Sequence, residues 1–313
     1  MELNPIVHTK SIVLQLQTLI VDAFRNLPPL PQRSYLVIID GLDECHDKAT
    51  QQLILRLLCE SITVHKLPLR FLIGSRPESH IRASFDQESL YAITRRVVLD
   101  ETFNPGRDIR VFLQDGFTKI CAEHSSSILS HVDQPWPEED IIDLLVQRSS
   151  GQFIYAATVI KFVGADFCSP TEQLALVLKS DPMAFSGLDQ LYTQILSVYP
   201  STVNIVQILG FIIAYGKNSA EVIEDILGME EGRLKQVLRG LSSLMEDEEN
   251  GNGECLNKGV IPYVIPPFAH ASFRDYLFDS SRSGRFHVNE EEYENQLTIW
   301  SFARITQLIR SSR

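Results

Sequence analysis

Nowhere do the 313 residues read Gly-x-x-x-x-Gly-Lys-Ser/Thr, the backbone loop that cradles nucleotide phosphates. The five cysteines, Cys45, Cys59, Cys121, Cys168 and Cys255, contain no Cys-x-x-Cys pair. Their odd number and wide spacing argue against a disulfide framework or zinc site and for a reducing compartment. Basic residues are scarce: 28 Lys and Arg stand against 40 Asp and Glu, giving a formal net charge of −12. That balance disfavours non-specific attraction to nucleic acid or anionic membranes. Apolar runs such as Ile208 to Tyr215 are far too short to span a bilayer. Met1 leads into Glu-Leu-Asn-Pro, without the basic flank or apolar centre of a signal peptide. The expectation is a cytoplasmic, soluble protein with no nucleic-acid or membrane partner.

What is present suffices to fold. The chain is 44% hydrophobic and 22% charged, and its length predicts two or three domains. Ser11 to Phe24 sets Ile12, Leu16, Leu19, Ile20 and Phe24 at helical spacing. A strand at Leu36 to Ile39 follows, then an amphipathic helix over Ala49 to Val64 with Leu53, Leu57, Leu58 and Ile62 on one side. A second apolar strand, Arg70-Phe-Leu-Ile-Gly-Ser-Arg76, completes a parallel unit, and Arg96 to Asp100 is expected as a third strand. The opening region is therefore α/β.

Beyond Asn104 the period becomes helical. Helices are expected over Asp108–Ser126, Glu138–Ser149, Phe153–Val163, Thr171–Leu178, Leu188–Val198, Ser201–Ala214, Ala220–Gly228 and Glu230–Met245, and a second domain begins near residue 105 to 135. An acidic turn, Glu246 to Glu249, reads as a solvated loop. Val260 to Ile265 resembles a strand, so that helices followed by a hairpin suggest a winged helix. Ala271–Phe278 and Glu290–Ile309 are the last helical stretches.

The chemistry concentrates at Tyr35-Leu-Val-Ile-Ile-Asp-Gly-Leu-Asp-Glu44. A buried strand ending in carboxylates suits magnesium and phosphate chemistry. Asp40 stands where a strand-end acid contacts magnesium through water, and Asp43 and Glu44 can polarise a water for attack on a terminal phosphate. The competing explanation is a strand leaving the core through an acidic turn. Arg76, ending the next strand, supplies the planar donor fork that senses a terminal phosphate. His270 can donate to a phosphate or satisfy a backbone group at a helix start, and sequence chemistry favours the second. Gly210 to Ser219 imitates a phosphate loop, but five residues separate its glycines and Asn218 replaces the hydroxyl, so it reads as a helix ended by Gly216.

These segments resemble the NACHT class of signal-transducing NTPases, in particular fungal NACHT proteins with a nephrocystin-3-like amino-terminal portion. Val-Ile-Ile-Asp40-Gly-Leu-Asp43-Glu44-Cys45 is similar to their extended Walker B segment, and Arg70 to Glu78 to their sensor strand. Gly151 to Ile160 and His270-Ala-Ser-Phe-Arg-Asp-Tyr-Leu277 resemble their helical-domain and winged-helix signatures. Phe153 departs from the pattern, replacing a proline that many relatives pack against adenine.

The resemblance implies an incomplete P-loop NTPase sheet over residues 1–125, a helical domain over 126–190, a winged-helix domain over 191–288 and a terminal helix over 289–313. It implies Asp40 for metal, Asp43 and Glu44 for catalysis, and Arg76 and His270 for the γ- and β-phosphates, with ATP or ADP and Mg2+ as cofactors. The family's phosphate loop lies upstream of residues like Asn4 to Phe24, so the sequence is expected to start after it. The sheet is then expected to show a gap or an exposed apolar edge, and the chain alone to bind ATP weakly and hydrolyse it negligibly. Two functions stand: a nucleotide-dependent signalling switch, or a non-enzymatic module that self-associates or binds full-length NACHT proteins.

Overall fold

The computed structural model describes residues 6–26, 34–45, 47–99, 101–124, 135–165, 168–179, 186–198, 202–215, 220–246, 267–289, 292 and 295. The chain divides into two compact units, Met1–Val98 and Leu99–Arg313. Most described residues are helical, and their one sheet has two parallel strands.

The first unit opens on α1 (Ile12–Leu16), a π-turn (Gln17–Val21) and α2 (Asp22–Arg25). Ser11 caps this stretch by accepting from the Leu14 amide. The π-turn inserts an extra residue per turn and shifts the inward face. Val21 is consequently buried and Leu19, expected inside, is exposed.

Strands β1 (Tyr35–Ile39) and β2 (Leu69–Ile73) pair from Tyr35 opposite Leu69 to Ile39 opposite Ile73. Their β-branched and aliphatic runs favour extended backbone, and α3 (Lys48–Thr63) supplies the crossover a parallel pair requires. On one face Val37, Leu69 and Phe71 pack with Ile20, Val21, Phe24 and Leu67. Farther along, Ile73 meets Leu42, Leu55, Ile81 and Leu90, the last two from α4 (Ser79–Phe85) and α5 (Glu88–Tyr91). The opposite face is bare: Leu36, Ile38 and Leu72 are 61%, 66% and 57% exposed.

The third strand expected at Arg96 to Asp100 does not form over Arg96–Leu99, and Asp100 lies outside the described residues. Val97, Val98 and Leu99 are exposed. Three consecutive apolar residues suit an interior strand covered on both faces, and a two-stranded sheet offers no such position.

The second unit is helical. Its helices are α6 (Pro105–Glu123), α7 (Glu139–Ser149), α8 (Phe153–Val163), α9 (Pro170–Leu178), α10 (Gly187–Ser197), α11 (Thr202–Tyr215), α12 (Ala220–Leu227), α13 (Arg233–Gly240), α14 (Ala271–Phe278) and α15 (Ser280–Ser283). In α6, Ile109, Leu113, Phe117 and Ile120 form the inward stripe that helical periodicity demands. They join a continuous core reaching Tyr192, Phe211, Leu238, Phe273 and Val288. The helix expected over Glu230–Met245 breaks after Gly240 into a short 3-10 turn at Ser242–Leu244.

Met245 and Phe268 form an antiparallel bridge, reinforced by Glu246 N to Pro267 O at 2.8 Å and Ala269 N to Leu244 O at 2.9 Å. The expected strand at Val260–Ile265 lies outside the described residues, as do Gly216 to Ser219 and almost all of Glu290–Ile309. No helix among the described residues is long and apolar enough to cross a membrane.

Candidate functional site

The chain turns sharply where β1 ends. Gly41 adopts φ +67°, a left-handed conformation costly for a residue with a Cβ. That turn starts a 3-10 segment, Leu42–Glu44, which buries Leu42. Leu42 N donates to Gly74 O at 3.1 Å and Gly74 N to Ile39 O at 2.8 Å, which continues the strand pairing beyond Ile73. Asp40 thus stands beside Gly74, and a Cβ there would lie 2.6 Å from Asp40 Oδ1. Glycine leaves room for the carboxylate.

Asp43 is the most engaged of the three acids. Its Oδ1 accepts from the Arg76 amide at 2.9 Å and from Ser75 Oγ at 3.1 Å. Its Oδ2 lies 3.5 Å from Arg76 Nε, with the Asp43 side chain 10% exposed and that of Arg76 39% exposed. The acidic turn and the end of β2 are thereby joined through one carboxylate. Asp40 and Glu44 are exposed. Among the described residues neither carboxylate has a hydrogen bond or ion pair.

The opposite side of the turn is held from α3. Asp47 caps this helix by accepting from the Thr50 amide at 2.8 Å. Gln51, one position on and buried, donates from Nε2 to Asp43 O at 2.9 Å and to Cys45 O at 2.8 Å. Gln51 Oε1 faces Nε2 of His80 in α4. Ser84 Oγ donates to His80 O at 2.9 Å, fixing the helix turn that carries the ring.

The structure therefore gathers Asp40, Asp43, Glu44 and Arg76 around the carboxyl ends of two adjacent parallel strands. His270 belongs to the second unit. There it caps α14: Nδ1 accepts from the Ser272 amide at 3.1 Å and faces Ser272 Oγ at 2.7 Å. That is the backbone-satisfying role which sequence chemistry favours. Ser272 Oγ also bonds Tyr192 OH at 2.9 Å, and Tyr276 OH bonds Thr193 Oγ1 at 2.8 Å. Arg282 grips buried Asp189 through Nε at 3.1 Å and Nη2 at 2.7 Å. Burial pushes the Tyr192 and Tyr276 phenols up to about 12, while the hydrogen bond to Asp189 raises the Arg282 guanidinium. These groups lock α14 and α15 onto α10.

No group of three or more His, Cys, Asp or Glu residues among those described could enclose a metal. Magnesium keeps several waters and commonly uses only one or two carboxylates, so an exposed, unengaged strand-end aspartate fits it without a cage. Cys45, Cys59, Cys121 and Cys168 are free thiols. The residues that sequence reasoning passed over are Gln51, Ser75 and His80. Gln51 precedes Leu55 by four residues, so a polar side chain on the inward row of α3 was the available signal.

A strand–helix–strand unit with acids at one strand end and an arginine at the next defines the class of the site. Residues 6–76 match the family model described as nephrocystin 3, N-terminal. The match takes in both strands and ends on Arg76, and it supports a NACHT or nephrocystin-3-like relation for that segment. Neither the curated proteins nor the solved structures give a match.

Proposed function

We propose that residues 6–76 supply the acid-and-sensor half of a fungal NACHT-type nucleotide switch, a P-loop NTPase whose Walker B segment is Val37 to Cys45. The observation carrying it is the convergence of Asp40, Asp43 and Arg76 at the ends of paired parallel strands, with Asp43 accepting from the Arg76 amide at 2.9 Å. Asp40 is the residue for Mg2+, held through its waters. When bound, Mg2+ neutralises charge on the phosphate oxygens of ATP or ADP. Glu44 is the better placed of the two remaining acids to orient a water, because Asp43 is engaged with Ser75 and Arg76. A terminal phosphate would compete with Asp43 for the Arg76 guanidinium, and that competition would distinguish triphosphate from diphosphate.

The 313 residues contain no phosphate-cradling loop, so most of the grip on the phosphates must come from elsewhere. The winged helix and a phosphate contact from His270 belong to the same reading. Titration calorimetry of the 313-residue chain with Mg2+ and ATP tests it. Weak association is expected, with Kd roughly millimolar or about −4 kcal/mol. Asp40→Asn should remove its Mg2+ dependence, and Arg76→Ala its preference for ATP over ADP. No measurable association, or association unchanged by both substitutions, would overturn the proposal.

A further inference from the structure

We infer that Gln51 and His80 form a positioning clamp for the acidic turn, holding Asp43 where it meets Arg76. This rests on assigning that turn to a nucleotide site. Both hydrogens of the Gln51 amide are committed, to Asp43 O at 2.9 Å and Cys45 O at 2.8 Å. These acceptors lie on either side of Glu44, so one side chain pins the backbone around the residue assigned to the water.

With its nitrogen spent on two carbonyls, Gln51 must present Oε1 to His80, and His80 must donate from Nε2. The ring's other nitrogen, Nδ1, is buried with no hydrogen-bond partner among the described residues. It is therefore no competing anchor for the ring. His80 fixes the orientation of the Gln51 amide, and the amide fixes the turn. Beyond the turn, Asp43 Oδ1 receives the Arg76 amide and Ser75 Oγ. The path from α4 through α3 to the tip of β2 is continuous in hydrogen bonds. Neither side chain is placed to touch substrate; both act through the turn.

The clamp is tested by His80→Phe, which keeps a ring but removes the donor, and by His80→Gln, whose terminal nitrogen can replace Nε2. Gln51→Met provides a second break at similar volume. Amide hydrogen exchange at Arg76 and Cys45 should accelerate about tenfold in His80→Phe and Gln51→Met, which corresponds to about 1.4 kcal/mol of local opening. Exchange at Leu55 to Cys59 should stay unchanged, and His80→Gln should restore slow exchange. Affinity for Mg2+ with ATP should fall and recover in parallel.

Unchanged Arg76 exchange in both breaking variants would overturn the clamp. Where the unsubstituted chain binds nucleotide, faster exchange with unaltered affinity would overturn it too, because the pair would then be merely structural. If the unsubstituted chain binds no nucleotide, the switch proposal fails, while the exchange data still decide whether the clamp exists.

Discussion

Gly74→Ala should separate the stability of the strand pair from the placement of the Asp40 carboxylate. The new Cβ would lie 2.6 Å from Asp40 Oδ1, but 3.6 Å from Cγ and 3.8 Å from Cα. Only the end of an exposed side chain must move; the backbone is already at ordinary contact distance. Gly74 lies outside the left-handed region, so alanine can adopt its backbone conformation. Lost freedom in the unfolded chain should stabilise by about 0.4–1 kcal/mol. Displacing Asp40 costs about 0.5–1.5 kcal/mol if it is forced off a staggered rotamer, and less if another rotamer is open.

The two effects nearly cancel, and net stability should change by less than about 1 kcal/mol in urea denaturation. The carboxylate, in contrast, cannot stay where it is. Calorimetric titration with Mg2+ and ATP should show a loss in Gly74→Ala similar to that in Asp40→Asn, and no further loss when the two are combined. Destabilisation above about 2 kcal/mol would show that the clash reaches the backbone. An undiminished effect of Gly74→Ala on the Asp40→Asn background would show that it does not act through Asp40.

Three further outcomes follow from the packing. Asp189→Asn leaves Arg282, one-third exposed, facing a neutral amide, and should cost about 2–3 kcal/mol in denaturation, below the range for fully buried pairs; a cost under about 0.5 kcal/mol would contradict the role assigned to that pair. Tyr155, Tyr192 and Tyr276 are raised by burial to about 12, so their contribution is intact below the unfolded value near 10 and lost as pH climbs toward 12. Phenolate absorbance should lag behind that of free tyrosine while stability falls by up to roughly 2–3 kcal/mol per residue, and complete titration near pH 10 without loss of stability would refute this. Ile38→Lys should change stability by less than about 0.5 kcal/mol, whereas Val37→Lys on the packed face should cost more than about 2 kcal/mol; equal costs would mean that the face bearing Ile38 is covered.

Much of the local structure was legible because it depends on local rules. Apolar spacing and terminal signals placed Phe153–Val163 and Ala271–Phe278 with the bounds observed, and most other helices within a few residues. The strand pair and its crossover helix followed from β-branched runs and turn residues. What depends on partners distant in sequence was less legible. The π-turn at Gln17–Val21 brought Val21 into the core and left Leu19 exposed, while Ile20 and Phe24 kept their packed places. Arg96 to Leu99 had the composition of a strand and no position between neighbours. The segment Ser79 to Tyr91, which forms α4 and α5, was not anticipated at all, although it carries the ring that orients Gln51.

The same division runs through the site. Asp40, Asp43, Glu44 and Arg76 were legible because charged residues directly after apolar strands are conspicuous in a line of sequence. Their unequal commitments were not, because those depend on donors brought from other elements. Ser75, Arg76 and Gln51 meet the Asp43 side chain and backbone only once the parallel register is set. That register makes Asp43 a structural joint and leaves Asp40 and Glu44 as the unengaged carboxylates. A pair of acids four and five residues past a strand therefore need not share one role. If Asp43 serves chiefly as the joint, Asp43→Asn should loosen the Arg76 amide in hydrogen exchange, while Glu44→Gln should leave that amide unchanged. Equal effects from the two substitutions would make the acids interchangeable and would remove the distinction drawn from their hydrogen bonds.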